Sequence, residues 1–195
     1  MKYASLSLAL FLALGLFMFT GCGDDDAAVT ADTLNYDGPN VTAPQNGAGL
    51  NTFAAFFTTD QTQPFAGRRL ERVRFWLTRI PLATSVVVYA EGNTDRSPGA
   101  ELYRVNLTQR IRNTGWNEHV LTTPVDVEAD RGLWLAVEVD IENNGDQAIG
   151  CDSGASYSPN GDRLLPSTGG VWTSFNEITG SETVNWNIRG VLADE

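Results

Sequence analysis

The stretch Leu133–Ile141, which reads LWLAVEVDI, decides the fold of this chain. Successive side chains of an extended strand point to opposite faces, so residues two apart lie on the same side. On one side this alternation places only apolar residues, namely Leu133, Leu135, Val137, Val139 and Ile141. The stretch therefore predicts a β-strand whose apolar face belongs in the core.

Other segments show the same period of two. Val73, Phe75 and Leu77 alternate with Arg72, Arg74, Trp76 and Thr78, and Val184, Trp186 and Ile188 alternate with Asn185, Asn187 and Arg189. No segment has a convincing helical stripe. With shorter apolar runs included, we predict about ten strands, at 34–36, 52–58, 73–78, 85–90, 102–107, 116–121, 133–141, 147–151, 171–175 and 184–189.

Turn-forming residues separate these strands, as in Asn113-Thr114-Gly115 and in Asn143-Asn144-Gly145-Asp146, and the chain has 19 glycines. Many short strands joined by glycine and asparagine turns indicate an all-β fold. We predict a single antiparallel β-sandwich over residues 33–195. A jelly roll is the expected topology, because it packs this many strands around one core without helical crossovers.

The N-terminal segment predicts export. An apolar run from Leu6 to Phe19 follows Lys2, and as a helix it would be about 21 Å long, too short to span a bilayer. The sequence Phe19-Thr20-Gly21-Cys22 resembles the lipobox of bacterial lipoprotein signal peptides. This resemblance implies cleavage after residue 21, acylation of Cys22 and a lipid anchor in the membrane. An ordinary secretory signal with an incidental cysteine is the alternative.

Residues 22–32 form an acidic tether that contains Asp24, Asp25 and Asp26. Such a stretch resembles the signal that sends some bacterial lipoproteins to the outer face of the outer membrane. A solvated spacer explains it equally well, because anionic lipid head groups repel an acidic segment. We expect an outer membrane lipoprotein, with exposure at the cell surface left open.

Charge and cysteine content exclude several classes of function. After residues 1–21 are removed, 12 arginines remain against 24 acidic residues, and the resulting negative field disfavours nucleic acid as a partner. Lipidation of Cys22 leaves Cys151 without an intramolecular partner, and we expect Cys151 to be a buried thiol.

The single histidine, His119, is predicted to be a hydrogen-bonded strand residue, and no Gly-x-Ser-x-Gly elbow is present. We predict no catalytic residues.

Several segments resemble small jelly-roll accessory domains of secreted bacterial proteins, which look like carbohydrate-binding modules. The resemblance rests on residues 115–127, 132–136, 149–152 and 185–189, which read GWNEHVLTTPVDV, GLWLA, IGCD and NWNIR. It covers roughly residues 54–192 and implies a non-catalytic accessory role. These elements are mostly tryptophans and turns, so they report on the fold more than on the ligand.

Stacking on a sugar ring needs an exposed aromatic side chain. Trp76 shares its predicted face with Arg72 and Arg74, Trp172 follows the Gly169-Gly170 pair, and Tyr157 lies in a long loop. We therefore predict Trp76, Trp172 and Tyr157 as ligand-binding residues. Trp116, Trp134 and Trp186 are predicted to be buried.

Oxygen-rich loops also suggest a structural calcium ion. Asp152, Asn160 and Asp162 are the candidate ligands, with Asp37 and Asn40 in another loop, since calcium takes six to eight oxygen ligands in irregular geometry. The spacing does not match an EF-hand, and Asp and Asn are also ordinary turn formers. No other cofactor is expected.

We expect a non-catalytic binding module on the cell envelope, with an extracellular glycan as the first candidate partner. An accessory subunit of an envelope protein complex is the alternative. A hydrolase that uses two carboxylates is a third class, but no pair among the 24 acidic residues is favoured by spacing.

Overall fold

The computed structural model describes residues 32–193, which form an antiparallel all-β sandwich. The signal peptide predicted at 1–21 and the predicted lipidation site Cys22 lie outside the described residues. So does the tether predicted at 22–32, except for Asp32. Asp32 is joined to the folded body, because its carboxylate accepts a hydrogen bond of 2.6 Å from the Arg68 guanidinium.

The strands and helices are short and are joined by turns. The strands are β1 (Thr33–Leu34), β2 (Gln45–Asn46), β3 (Gly49–Phe57), β4 (Arg69–Leu77), β5 (Ala83–Ala90), β6 (Glu101–Asn106), β7 (Gly115–Asp126), β8 (Leu133–Ile141), β9 (Asp146–Gln147), β10 (Arg163–Leu165), β11 (Thr173–Ser174) and β12 (Ile188–Leu192). The helices are α1 (Thr59–Thr62) and α2 (Phe175–Thr179), and a 3-10 turn covers Gln63–Phe65. Within residues 32–193, no helix has the length and apolar content needed to cross a bilayer.

Two large sheets form the sandwich. One has four strands in the order β1-β12-β4-β7, and the other has six in the order β11-β10-β3-β8-β5-β6, while β2 and β9 form a small third sheet. The chain passes from one large sheet to the other between β1 and β3, β3 and β4, β4 and β5, β6 and β7, β7 and β8, and β11 and β12. This winding confirms the predicted sandwich and follows the pattern of a jelly roll.

Strand β8 lies at the centre of the six-stranded sheet. It pairs with β3 over Leu133–Ile141 on one side and with β5 over 133–140 on the other. Its predicted core face is buried, and Leu135, Val137 and Val139 are fully inaccessible. These side chains meet residues of the four-stranded sheet such as Leu70 and Val73 in one main hydrophobic core.

The opposite face of β8 is also partly buried, which the alternation alone did not predict. Trp134 and Ala136 are fully buried in a second cluster with Ala54, Phe56 and Val87. Tyr89 and Trp172 pack against this cluster from outside. The outer face is therefore apolar near Trp134 and becomes polar only towards Glu138 and Asp140.

Several predicted strands differ from the observed ones. The segment predicted at 147–151 is a strand only over Asp146–Gln147, and beyond it Ile149 and Cys151 form isolated bridges. The strand predicted at 184–189 is displaced to Ile188–Leu192, and β2 and β10 were not predicted. Strands β2, β9 and β10 are too short to show alternation. Residues 184–189 do alternate in sequence, but the apolar and the polar set are both buried, and the chain pairs with β4 only from Ile188 onward.

The strand predicted at 171–175 ends early because a helix begins there. Ser174 caps α2, since its side chain accepts a hydrogen bond from the Glu177 backbone N–H at 3.0 Å and the Glu177 carboxylate accepts one from the Ser174 N–H at 3.2 Å. This Ser-x-x-Glu capping box is a helix signal that is visible in the sequence. An analogous box between Thr58 and Gln61 opens α1.

Replacing Leu135 with alanine should test the central role of β8. Leu135 is fully buried between the sheets, and removal of its side chain leaves a cavity that should lower the free energy of unfolding by about 2–5 kcal/mol. Denaturant titration of the purified protein measures this change. The matched control is Leu102→Ala, because Leu102 is 46% exposed; equal losses in the two variants would contradict the assignment.

Candidate functional site

Two partly exposed tryptophans lie side by side on the outer face of the four-stranded sheet. Trp76 of β4 is directly opposite Trp116 of β7 in the strand register. Their ring centroids are 5.7 Å apart and the ring planes are nearly perpendicular, at 87°. Both side chains are half-buried. The prediction of partial exposure at Trp76 is confirmed.

The prediction that Trp116 is buried is wrong. Directly opposite residues of paired strands point to the same face of a sheet, so Trp116 faces outward together with Trp76. Strand β7 also forms the edge of the four-stranded sheet. The other two predictions hold, because Trp134 is fully buried and Trp186 is 1% exposed.

The Trp116 indole covers a buried ion pair. The Arg189 guanidinium carbon is 4.3 Å from the centroid of the Trp116 ring. Arg189 Nε donates to both carboxylate oxygens of Asp37, at 3.0 and 2.9 Å, and the two side chains are 3% and 0% exposed. Burial raises the pKa of the Asp37 carboxyl, while Arg189 acts in the opposite direction. A cation against an aromatic face is attracted by the negative charge density of the ring, which holds the indole flat over the pair.

Two further arginines lie close to the Trp76–Trp116 pair. The Arg74 guanidinium carbon is 5.2 Å from the Trp116 ring centroid. Arg74 and Arg72 both approach the carboxylate of Glu118, at 3.5 and 3.6 Å. Their side chains are 18% and 39% exposed, and that of Glu118 is 41% exposed. We call the surface formed by Trp76, Trp116, Arg72, Arg74 and Glu118 the aromatic face.

Two buried acceptor atoms lie beside Trp76, Asn40 Oδ1 and Asn187 Oδ1, and neither receives a hydrogen bond from residues 32–193. The Asn187 side chain is held by its Nδ2, which donates to Asp37 Oδ2 at 2.7 Å. Its backbone carbonyl accepts a hydrogen bond from the backbone N–H of Trp76 at 3.0 Å. An unpaired buried acceptor costs about 1–3 kcal/mol. Such groups call for an explanation, and a role in binding is one.

Gly150 brings Asn40 close to Trp76. A Cβ atom added at Gly150 would lie 2.2 Å from Asn40 Oδ1 and 2.5 Å from Trp76 Cδ1. Both distances are far below van der Waals contact, so only a residue without a side chain fits here. The amide of Asn40 and the edge of the indole therefore meet over the Gly150 backbone.

The remaining predicted ligand-binding residues lie elsewhere. Trp172 packs on Trp134 with ring centroids 5.3 Å apart, on the outer side of the six-stranded sheet. Tyr157 is half-buried, and its hydroxyl donates to Asp162 Oδ2 at 3.4 Å. The structure thus does not bring Trp76 and Trp172 together, because they belong to opposite faces of the sandwich.

Near Trp172 lies a second group of buried polar atoms without hydrogen-bond partners. Trp134 Nε1 and Arg163 Nε are both of this kind. Arg163 is 7% exposed, and its Nη2 donates to Asn160 Oδ1 at 2.7 Å. These two atoms are as inaccessible to solvent as Asn40 Oδ1 and Asn187 Oδ1, so the aromatic face is distinguished by its two half-buried indoles and not by its unpaired atoms.

The predicted calcium ligands are engaged in hydrogen bonds with the protein. Asp152 Oδ1 accepts from the backbone N–H groups of Gly154 and Asn185, both at 2.8 Å, and its Oδ2 accepts from Asn185 Nδ2 at 2.9 Å. Asn160 Oδ1 accepts from Arg163, as described above. Asp162 Oδ2 accepts from the Asn176 N–H at 2.9 Å. Between residues 32 and 193, no three His, Cys, Asp or Glu side chains are grouped to hold a metal ion. Calcium binding remains a prediction.

His119 and Cys151 lie within the folded body. Nε2 of His119 is 2.7 Å from the Tyr103 hydroxyl, and burial lowers the pKa of the imidazole. Cys151 is a free, fully buried thiol, and burial raises its pKa to about 12. Both predictions, a hydrogen-bonded strand histidine and a buried thiol, are confirmed.

Comparisons of the chain with protein-family models, with curated proteins and with solved structures find no match.

Asp162 should make the stability of the fold depend on pH. Burial raises the pKa of this fully buried carboxyl to about 6 from an ordinary value of 3.8. The folded state therefore binds this proton more tightly than the unfolded state does. The contribution of the protonated carboxyl to the free energy of unfolding is lost as the pH rises from about 4 to 6. The difference in the free energy of unfolding between the native protein and the Asp162→Asn variant should change by on the order of 2 kcal/mol between pH 4 and pH 7.

Denaturant titrations at several pH values measure this difference. The exposed Asp130 provides a matched control, because Asp130→Asn also removes one carboxylate. A difference between native protein and Asp162→Asn that stays constant from pH 4 to pH 7 would show that the carboxyl titrates normally.

Proposed function

We propose that this protein is a cell-envelope lipoprotein whose β-sandwich binds an extracellular glycan at the aromatic face, without catalysis. The observation that carries the proposal is the Trp76–Trp116 pair, two half-buried indoles held at 5.7 Å on one sheet surface. Aromatic side chains with one apolar surface and one polar end suit partners that have both characters. A pyranose ring has both, because its CH groups stack on an indole while its hydroxyls form hydrogen bonds.

The aromatic face is held in place before a ligand arrives. Trp116 rests on the Arg189–Asp37 pair, and the Trp76 indole packs against Trp116 and over the Gly150 backbone. A fixed side chain loses little conformational freedom on binding, so less of the interaction energy is lost to ordering. The neighbouring arginines supply hydrogen-bond donors for sugar hydroxyls.

The proposed anchor rests on the sequence alone. Acylation of Cys22 would hold the sandwich at the outer membrane through two or three acyl chains, which together bind much more stably than a single chain. Residues 22–32 would then separate the aromatic face from the bilayer. This placement would let the module meet glycans outside the membrane.

Substitution of the two tryptophans should abolish glycan binding. Trp76→Ala and Trp116→Ala each remove one stacking surface, and we expect each to weaken binding at least tenfold, since aromatic contacts dominate such interfaces. Retention on a panel of immobilised polysaccharides, measured with the detergent-purified full-length protein, provides the readout. Thermal unfolding shows whether each variant keeps its fold.

Trp172→Ala is the matched control, because Trp172 is a half-buried tryptophan on the other sheet. Loss of binding in Trp172→Ala alone would move the binding site to the six-stranded sheet. No retention of native protein on any glycan, together with a stable partner after crosslinking, would favour the accessory subunit of an envelope complex.

Replacing Cys22 with alanine should release the protein from membranes. Without the sulfur no acyl chain can be attached, so the protein should move from the membrane fraction to the soluble fraction after cell lysis. Cys151→Ala is the control, because this thiol is fully buried and should not affect the anchor. Membrane retention of the Cys22 variant would mean that the anchor lies elsewhere.

A further inference from the structure

We infer that the aromatic face recognises a saccharide that carries a carboxylate, such as a uronic acid, rather than a neutral sugar. This inference rests on the proposed glycan binding and specifies the class of ligand. It is carried by the positions and the contacts of Arg72, Arg74 and Glu118.

The aromatic face has a positive balance on an acidic protein. The whole chain has a formal net charge of −11. Within the aromatic face, Arg72 and Arg74 share the single carboxylate of Glu118, while Asp37 neutralises Arg189 in the buried pair beneath it. A local excess of cations on such a protein favours an anionic ligand at this surface.

Both guanidinium groups have unused hydrogen-bonding capacity. Their contacts with Glu118, at 3.5 and 3.6 Å, are longer than charge-assisted hydrogen bonds of about 2.7–2.9 Å. No hydrogen bond joins either guanidinium to another side chain or carbonyl within residues 32–193. Two cations thus share one carboxylate loosely, and a ligand carboxylate can form the paired N–H···O contacts that the planar guanidinium favours.

The spacing of the aromatic ring and the cation explains why a uronic acid suits this face. The Arg74 guanidinium lies over the Trp116 ring, 5.2 Å from its centroid, so a sugar ring that contacts the Trp76–Trp116 pair has a guanidinium next to it. A uronic acid carries its carboxylate on a carbon attached directly to the ring. One residue of such a polymer can therefore stack and form an ion pair at the same time.

The overall charge limits how dense the charges of the ligand can be. A net charge of −11 repels a polymer with closely spaced sulfate or phosphate groups. The arginines of the aromatic face act over a short range, because salt screens exposed charges beyond about 8 Å at physiological ionic strength. Recognition then depends on a carboxylate placed next to a stacked ring, and not on general attraction to polyanions.

The test compares uronic polymers with their neutral derivatives. Polygalacturonate, alginate and hyaluronate are immobilised, each beside its methyl-esterified form, and binding of the detergent-purified full-length protein is measured. We expect at least one acidic polymer to bind the native protein tenfold or more tightly than its ester. Raising the salt concentration should reduce this preference.

Three variants separate charge recognition from stacking. The double variant Arg72→Gln, Arg74→Gln should lower the ratio of acidic to esterified binding to about one. Glu118→Gln removes the competing carboxylate and should raise that ratio severalfold. Arg131→Gln is the control, because Arg131 pairs with Glu128 in the turn after β7, far along the strand from Trp116, and it should behave like the native protein.

The outcomes distinguish the two proposals. Equal binding of acidic and esterified polymers, or binding only to neutral glycans in a manner that depends on Trp76, overturns the inference and leaves the glycan-binding proposal standing. Absence of binding to any glycan overturns the proposed function itself. Binding to sulfated dextran as tight as to the uronic polymers overturns carboxylate recognition, because charge alone would then account for it.

Discussion

The ion pair between Asp37 and Arg189 supports the whole outer side of the four-stranded sheet. It joins the segment after the first strand to the last strand, across 152 residues of sequence. Removing one partner of such a buried pair leaves a charge without compensation and typically costs about 3–5 kcal/mol. The pair therefore depends on complete hydrogen bonding and on cover from solvent. Asn187 contributes a hydrogen bond of 2.7 Å, and the Trp116 ring provides the cover.

This arrangement links the stability of the fold to the proposed binding surface. Trp116 is held flat because a buried guanidinium lies beneath it, and Trp76 meets its ring edge to face. The same indoles that shield the pair also present aromatic surface to the solvent. Beside them, Asn40 and Asn187 each keep a buried oxygen without a donor.

The sequence predicted the core more accurately than the surface. Strand β8 was predicted with its observed bounds, Leu133–Ile141, because its alternation is long and regular. Short segments such as Asp146–Gln147 were harder, since they contain too few residues to define a period. The alternation at 184–189 predicted a strand whose observed bounds are Ile188–Leu192, because pairing with β4 and not the pattern sets where it begins. The helix after Ser174 was missed although a Ser-x-x-Glu capping box marks it. Trp116 was assigned to the core because tryptophans are usually buried there, but its partner across the strands faces solvent.

The sequence by itself determined the longest strands, such as β4 and β8, and which side of each enters the core, because the two-residue period of a strand is a local property. It also identified Trp76 as partly exposed, through the charged residues that share its face. Only the tertiary structure decided that Trp116 lies beside Trp76 and that Arg189 lies beneath Trp116. These neighbours come from β4, β7 and β12, and their register depends on pairing between strands that are far apart in the chain.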